Sequence, residues 1–316
     1  MTVKRAADVP ILNAMQDLKN ADLDRALAFA IPHRSARGRI VRLGPTLTEI
    51  LAAHSYPPAI ERLLAEALTL VALIGSTLKD RDAQLTMQTR TETGVVRLLV
   101  CDYRGGEVRG YVEFDEDRLA AAPAEPGLSD LFGPTYLAIT FDLAATGERY
   151  QGIVPLDGET LAEAAESYFV QSEQIPSLVR VAVDKRADGT TVAGGLFLQH
   201  LPEGEDGRER LHTRLDHPEW EHVAALGQTV ETSELASAQL PLEELLWRLF
   251  NEDEVRLLDT VPIVRGCRCD GDYIRSVLTK FPADERRAMA DEDGTIKVDC
   301  AFCAQVFRVP AEMEQA

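Results

Sequence analysis

Apolar residues between Pro58 and Lys79 recur every three or four positions. Ile60, Leu63, Leu64, Ala67, Val71, Ile74 and Leu78 fall on one stripe at helical spacing. Pro57 and Pro58 stand where a helix start tolerates proline. The period then changes. "AQLTMQTR", "GVVRLLVCDY", "EVRGYVEF", "YLAITFDL" and "YQGIVPL" are short β-branched or aromatic runs broken by Gly, Asp and Glu, which predicts a meander of strands. "ETLAEAAESYFVQSEQ" returns to helical spacing, with Leu161, Ala164, Ala165, Tyr168 and Phe169 on one face. "SLVRVAVDK" and "VAGGLFLQHL" predict two more strands. The expectation is an α+β chain whose residues 1–202 form a mixed α/β core domain with an antiparallel-rich sheet.

Residues 203–263 differ in kind. They carry fifteen Asp or Glu against five Arg and no Lys, a net of −10 within a chain whose formal charge is −19. "PEGEDGRER" is charged and Gly-punctuated, as a loop is. Yet "PLEELLWRLFNEDEV" places Leu242, Leu245, Leu246 and Leu249 on one helical stripe after Pro241 at a plausible N1 position. Glu243 and Glu244 suit the positive end of that helix. Real apolar surface combined with dense like charge predicts a mostly helical, metastable linker, poised between folded and unfolded.

Residues 264–316, with ten acids against eight bases, hold four of the chain's five cysteines. Cys267 and Cys269 form a CxC, and Cys300 and Cys303 a CxxC, separated by the helical "DYIRSVLTKF" and the β-type "GTIKVDCAFCAQVFRV". Paired thiols at this spacing suit a closed four-sulfur metal site, which would staple a small C-terminal zinc-binding domain. They also suit a pair of redox couples, because a small ring closed through a CxC is strained and labile. His212, His217 and His222, around "LDHPEWEH", read as solvated loop histidines rather than ligands. Cys101, in "GVVRLLVCDY", reads as a small core residue.

Composition and motifs exclude other classes. The acidic balance leaves no basic face for nucleic acid. No GxxxxGK[ST], HExxH or HxE…PCxxC occurs. The opening residues lack a continuous apolar run before a small-residue cleavage site, and the run from Leu68 to Gly75 is too short to span a bilayer. A cytoplasmic chain with reduced thiols, and no membrane partner, is expected. The enzyme alternative is a thiol–disulfide oxidoreductase using Cys300-Ala301-Phe302-Cys303, but Asp299 and a strand-and-turn setting do not favour a reactive thiolate.

The "CRC…KVDCAFC" pattern resembles the zinc site of the heat shock protein 33 family, the redox-regulated holdase chaperones also called 33-kDa chaperonins. "YFVQSEQIP", "AGGLFLQHLP", "LTEILAAHSYPPAIERLLAEALTLVALIGSTLK" and "LPLEELLWRLFNEDEV" are similar to other stretches of that family, so the resemblance spans roughly residues 40 to 310. Asp270-Gly271-Asp272-Tyr273 departs from the Ser-Arg-type stretch that family members often carry after the CxC. The resemblance implies one zinc per chain, held by Cys267, Cys269, Cys300 and Cys303 in a reduced, inactive form. It implies that oxidation closes Cys267–Cys269 and Cys300–Cys303, expels zinc and unfolds the linker. It further implies an ATP-independent, non-enzymatic chaperone that binds unfolding client proteins, typically as a homodimer.

Overall fold

A computed structural model describes residues 23–201 and 217–313. Two sheets enclose one helix. In the first, β10 (Arg256–Pro262), β1 (Arg25–Ile31), β2 (Ala36–Leu43), β9 (Thr191–His200) and β8 (Ser177–Lys185) lie in that order, all antiparallel. In the second the order is β11 (Val264–Arg265), β5 (Glu107–Phe114), β4 (Val96–Arg104), β3 (Gln84–Arg90), β6 (Tyr136–Leu143) and β7 (Glu148–Pro155). Only the β11–β5 pairing is parallel there.

The second sheet is not the simple meander its strand runs predict. After β5 the chain passes through two short helices, α3 (Glu116–Ala121) and α4 (Leu128–Phe132), and β6 then returns to the free edge of β3. Before it come α1 (Pro45–Leu51) and α2 (Pro58–Gly75), with Pro57 capping α2 and Pro58 in its first turn. The single stripe expected on α2 understates its burial. Leu68, Leu70, Ala72 and Leu73 are buried too, because both sheets pack against the helix. A helix apolar all round belongs in the centre of a core. The helix expected over "ETLAEAAESYFVQSEQ" is α5 (Leu161–Tyr168), extended by a π turn over Phe169–Glu173.

Strand β9 divides the interior into two cores. Every one of its residues is buried. On one side Ala193 and Phe197 join the core around α2. On the other, Leu196 and Leu198 join Leu27, Phe29, Ile31, Ile40, Leu178 and Ala182 in a separate apolar face. Three helices cover that face: α6 (Pro218–Gln228), α7 (Thr232–Leu235) and α8 (Leu242–Phe250). Trp220, Val223, Leu235, Leu242, Leu245, Leu246, Leu249 and Phe250 supply their side of it. Pro241 caps α8 rather than occupying its first turn, one residue from the expected place. "PEGEDGRER" and His212 lie outside the described residues.

Past β11 the chain forms α9 (Gly271–Leu278), α10 (Ala283–Met289) and the hairpin β12 (Thr295–Asp299) and β13 (Val306–Pro310). Its buried apolar set is small: Leu278, Ile296, Val309 and Ala311. Arg286 supplements it, donating to the carbonyls of Phe281, Ala311 and Met313 at 2.9, 3.0 and 3.2 Å. The α+β architecture, antiparallel-rich with helices in its later half, is the one expected. Among the described residues, no helix is long and apolar enough to cross a membrane.

Candidate metal and redox centre

Four sulfurs meet where two local structures converge. The Gly266 N–H donates to the Val108 carbonyl at 2.9 Å, continuing the β11–β5 pairing to the residue before Cys267. Glycine is needed at that close approach, since a Cβ would sit 2.4 Å from the Glu107 Cβ. After Cys269 the chain enters α9, whose cap Asp270 accepts the Asp272 N–H at 3.1 Å. The other pair sits in the β12–β13 turn. There the Cys300 carbonyl accepts the N–H groups of Cys303 and Ala304 at 3.3 and 2.8 Å, and the Cys300 N–H donates to Gln305.

The Sγ separations are 3.3 Å for Cys267–Cys269, 3.6 Å for Cys267–Cys300 and 3.5 Å for Cys269–Cys303. All four sulfurs lie within 4.8 Å of one another. Ligands about 2.3 Å from a central ion in a tetrahedral array stand about 3.8 Å apart. The residues therefore fit a metal ion. Electrostatics points the same way. Burial and the neighbouring thiols push Cys269 well above the ordinary thiol value, and burial raises Cys267. Burial also acts upward on Cys303, but the Gln305 N–H and the other three thiols overcome it and bring that group below the ordinary value. A bound dication would supply the charge compensation that several thiolates this close together require.

No histidine belongs to this group among the described residues. His217 and His222 are not solvated loop residues as the sequence suggests. His217 caps α6, its Nδ1 accepting the Glu219 N–H at 3.3 Å, and its ring lies 4.9 Å from that of His200. His222 on α6 pairs with Asp253 at 3.3 Å. Cys101 is fully buried in β4, its thiol filling space left by Gly110 across the ladder. Burial pushes its pKa well up, so it stays a thiol.

Sequence reasoning missed the side chains that hold α6–α8 in place. Arg42, buried in β2, donates to the carbonyls of Glu234, Leu235 and Leu240 at 3.0, 2.9 and 2.5 Å. Arg25 forms a two-pronged pair with Glu243 at 2.8 and 2.9 Å. The enclosed Asp253 carboxylate receives Arg34 at 2.9 Å and pairs with His33 at 2.8 Å, while Arg34 also pairs with Glu219. Isolated arginines on strands or in the turn between them carry no periodic signal, and their partners lie 185 to 219 residues away in sequence.

Residues 24–310 match the family described as Hsp33 protein. A 33 kDa chaperonin of Caulobacter vibrioides is 41% identical over 293 residues, spanning 90% of this chain and 94% of the relative. A 33 kDa chaperonin of Pseudomonas fluorescens is 34% identical over 289 residues, spanning 90% of each. The crystal structure of the 33 kDa chaperonin (heat shock protein 33 homolog) of Thermotoga maritima superposes with a TM-score of 0.74, covering 91% of this chain and 95% of that one at 22% identity.

Proposed function

The chain belongs to the Hsp33 family, and from that premise we propose that it is a redox-regulated, ATP-independent holdase for unfolding proteins. The observation that carries the reading is the gathering of four sulfurs within 4.8 Å, the first pair directly after β10 and β11, which tie residues 256–265 to one sheet and then the other. Cys267, Cys269, Cys300 and Cys303 would hold one zinc in the reduced form, and zinc bound there would keep the thiolates compensated and complete a module with too small a core to fold unaided.

Oxidation changes what these residues offer. Each pair, Cys267–Cys269 and Cys300–Cys303, gives two electrons as its S–S bond forms. The oxidant takes them, a peroxide being reduced to water or hypochlorous acid to chloride and water. A sulfur in a disulfide is no longer the thiolate ligand that zinc requires. On this reading residues 1–202 are the core, 203–263 the linker and 264–316 the switch. Loss of the switch fold frees the linker, whose helices and apolar stripe then become available to clients. The active form is a homodimer, the compartment the cytoplasm, and no nucleic acid is involved.

The test combines zinc content, free thiols and suppression of client aggregation, before and after peroxide at elevated temperature. The reading expects one zinc and little holding before oxidation, then zinc loss and strong holding after it. Full holding by the reduced, zinc-loaded chain would contradict the reading. Catalytic turnover in insulin reduction would favour the oxidoreductase alternative.

A further inference from the structure

One residue in each cysteine spacer touches the core. Arg268, between Cys267 and Cys269, donates to Gln84 Oε1 at 2.5 Å and lies 3.8 Å from the Glu107 carboxylate. Phe302, in the other spacer, sets its ring edge-on to Tyr111 with 5.0 Å between centroids. The Arg109 guanidinium sits 4.0 Å over the same ring. Both contacts root in one buried side chain. Asp102 accepts Arg109 at 2.8 Å and the Thr86 hydroxyl at 2.7 Å, and Gln84 donates to that hydroxyl at 3.0 Å.

We propose that this patch of β3, β4 and β5 is a receptor for the two cysteine spacers, so that docking of the C-terminal module reads the state of both cysteine pairs at once. The inference rests on the reading of the four cysteines as a reversible metal and redox centre, and it adds the route by which that centre is felt elsewhere. Spacers of one and two residues leave little slack. Bonding Cys267 to Cys269 draws sulfurs now 3.3 Å apart to about 2.05 Å, which turns the backbone that aims Arg268 at Gln84. The two electrons released go to a peroxide, which is reduced to water. Closing Cys300 to Cys303 likewise rebuilds the turn that presents Phe302 to Tyr111 and Arg109.

The route onward is covalent. Cys267 follows Gly266 and β11 on β5, and β11 follows Ile263 and β10, which pairs with β1 at the edge of the sheet that α6–α8 cover. A module held on β5 therefore anchors the C-terminal end of the linker. Release of both spacers leaves that end held by the short β11 pairing, by β10 and by buried Ile263. The Ile263 N–H donates to the Asp24 carbonyl at 2.7 Å, and its carbonyl accepts the Thr46 hydroxyl at 3.2 Å.

Two core-side substitutions test this while leaving every cysteine and spacer in place: Tyr111→Thr on β5 and Gln84→Ala on β3. The measurements are zinc per chain, the rate of zinc transfer to a chromogenic chelator at fixed peroxide, and protease cleavage of the reduced module. Tyr111→Thr is expected to keep parental zinc content while cleavage and peroxide-driven zinc transfer rise about tenfold, matching an aromatic contact worth about 1.4 kcal/mol. Gln84→Ala should move both rates in the same direction by a smaller factor. Parental rates in both variants would overturn the proposal. Should Tyr111→Thr fail to fold, Gln84→Ala decides alone, and parental rates in it overturn the proposal. If the parent chain holds no zinc, the metal reading fails on its own, and the cleavage rates still decide the contact.

Discussion

Arg42 shows how much of the linker's placement depends on single side chains. Its guanidinium is fully buried and aimed at three carbonyls around the end of α7. Hydrogen bonds from a charged donor are worth about 1.5–3 kcal/mol each, and carbonyls left buried without partners cost about as much. Arg42→Met, which keeps bulk but no donor, should therefore loosen α7 and α8 in the reduced chain. Proteolysis within residues 232–255 should become faster while zinc content is unchanged; unaltered cleavage would remove Arg42 from the account. Cys101 is the contrasting case. Cys101→Ser places a hydroxyl in a fully buried site, at a cost of about 1–3 kcal/mol. It should lower the melting temperature while zinc binding and activation by oxidant persist. Failure of this variant to respond to oxidant would make Cys101 part of the redox chemistry. Its burial was legible from the strand pattern. The role of Arg42 was not, because only the distant carbonyls of α7 and of Leu240 explain a charge at that depth.

At the scale of elements, the runs with clear alternation or aromatic content matched closely: β5, β6 and β8 occupy Glu107–Phe114, Tyr136–Leu143 and Ser177–Lys185. β1 and β10 gave no such signal. β1 is an almost continuous apolar run packed on both sides, and β10 is an exposed edge strand inside a segment that reads as acidic linker. The stripe on α8 was legible and is fully used. Leu246 is 1% exposed against the β-sheet face, so Leu246→Ala should remove about 2–5 kcal/mol. Both tryptophans lie in these helices, Trp220 buried and Trp247 exposed, so tryptophan emission, excited selectively over tyrosine, reports on these helices alone. Leu246→Ala is expected to red-shift that emission under reducing conditions, with zinc retained and clients held without oxidant. A red shift with retained zinc and no holding would show that linker release is not the gate.

The same helices predict a pH dependence. The hydrogen bond from Arg25 holds Glu243 below the ordinary carboxylate value, and Arg34 does the same for Glu219. Enclosure alone would raise Asp253, but Arg34 and then His33 outweigh it and hold it low. A carboxyl whose folded value lies below its unfolded one contributes stability that is fully present above about pH 5 and lost as pH falls through the folded value, below about 4. Acid titration of the reduced chain should release the linker in that window, read by tryptophan emission. Asp253→Asn should shrink the acid-driven change. A linker equally docked from pH 7 to pH 3 would contradict the assignment.

At the scale of the molecule, the linker and the cysteine module lie against different sheets, one on the apolar face of β1, β2, β8 and β9, the other on β3 and β5. The consecutive strands β10 and β11 join them. The gathering of the four sulfurs was legible, because two closely spaced pairs of thiols in one short segment can converge on a single point. The docking of the spacers was not, since Arg268 and Phe302 acquire their meaning only when β3 and β5 stand beside them. The central claim is that the state of four sulfurs sets whether the linker stays on the core. Amide hydrogen exchange over α6–α8 and β10, compared between the reduced zinc-loaded chain and the peroxide-treated chain, tests it most directly. The account predicts protection of these segments in the reduced form and fast exchange in the oxidised form, with α2 protected in both. Equal protection of the linker in both forms, in a sample that has lost its zinc and holds clients, would contradict it.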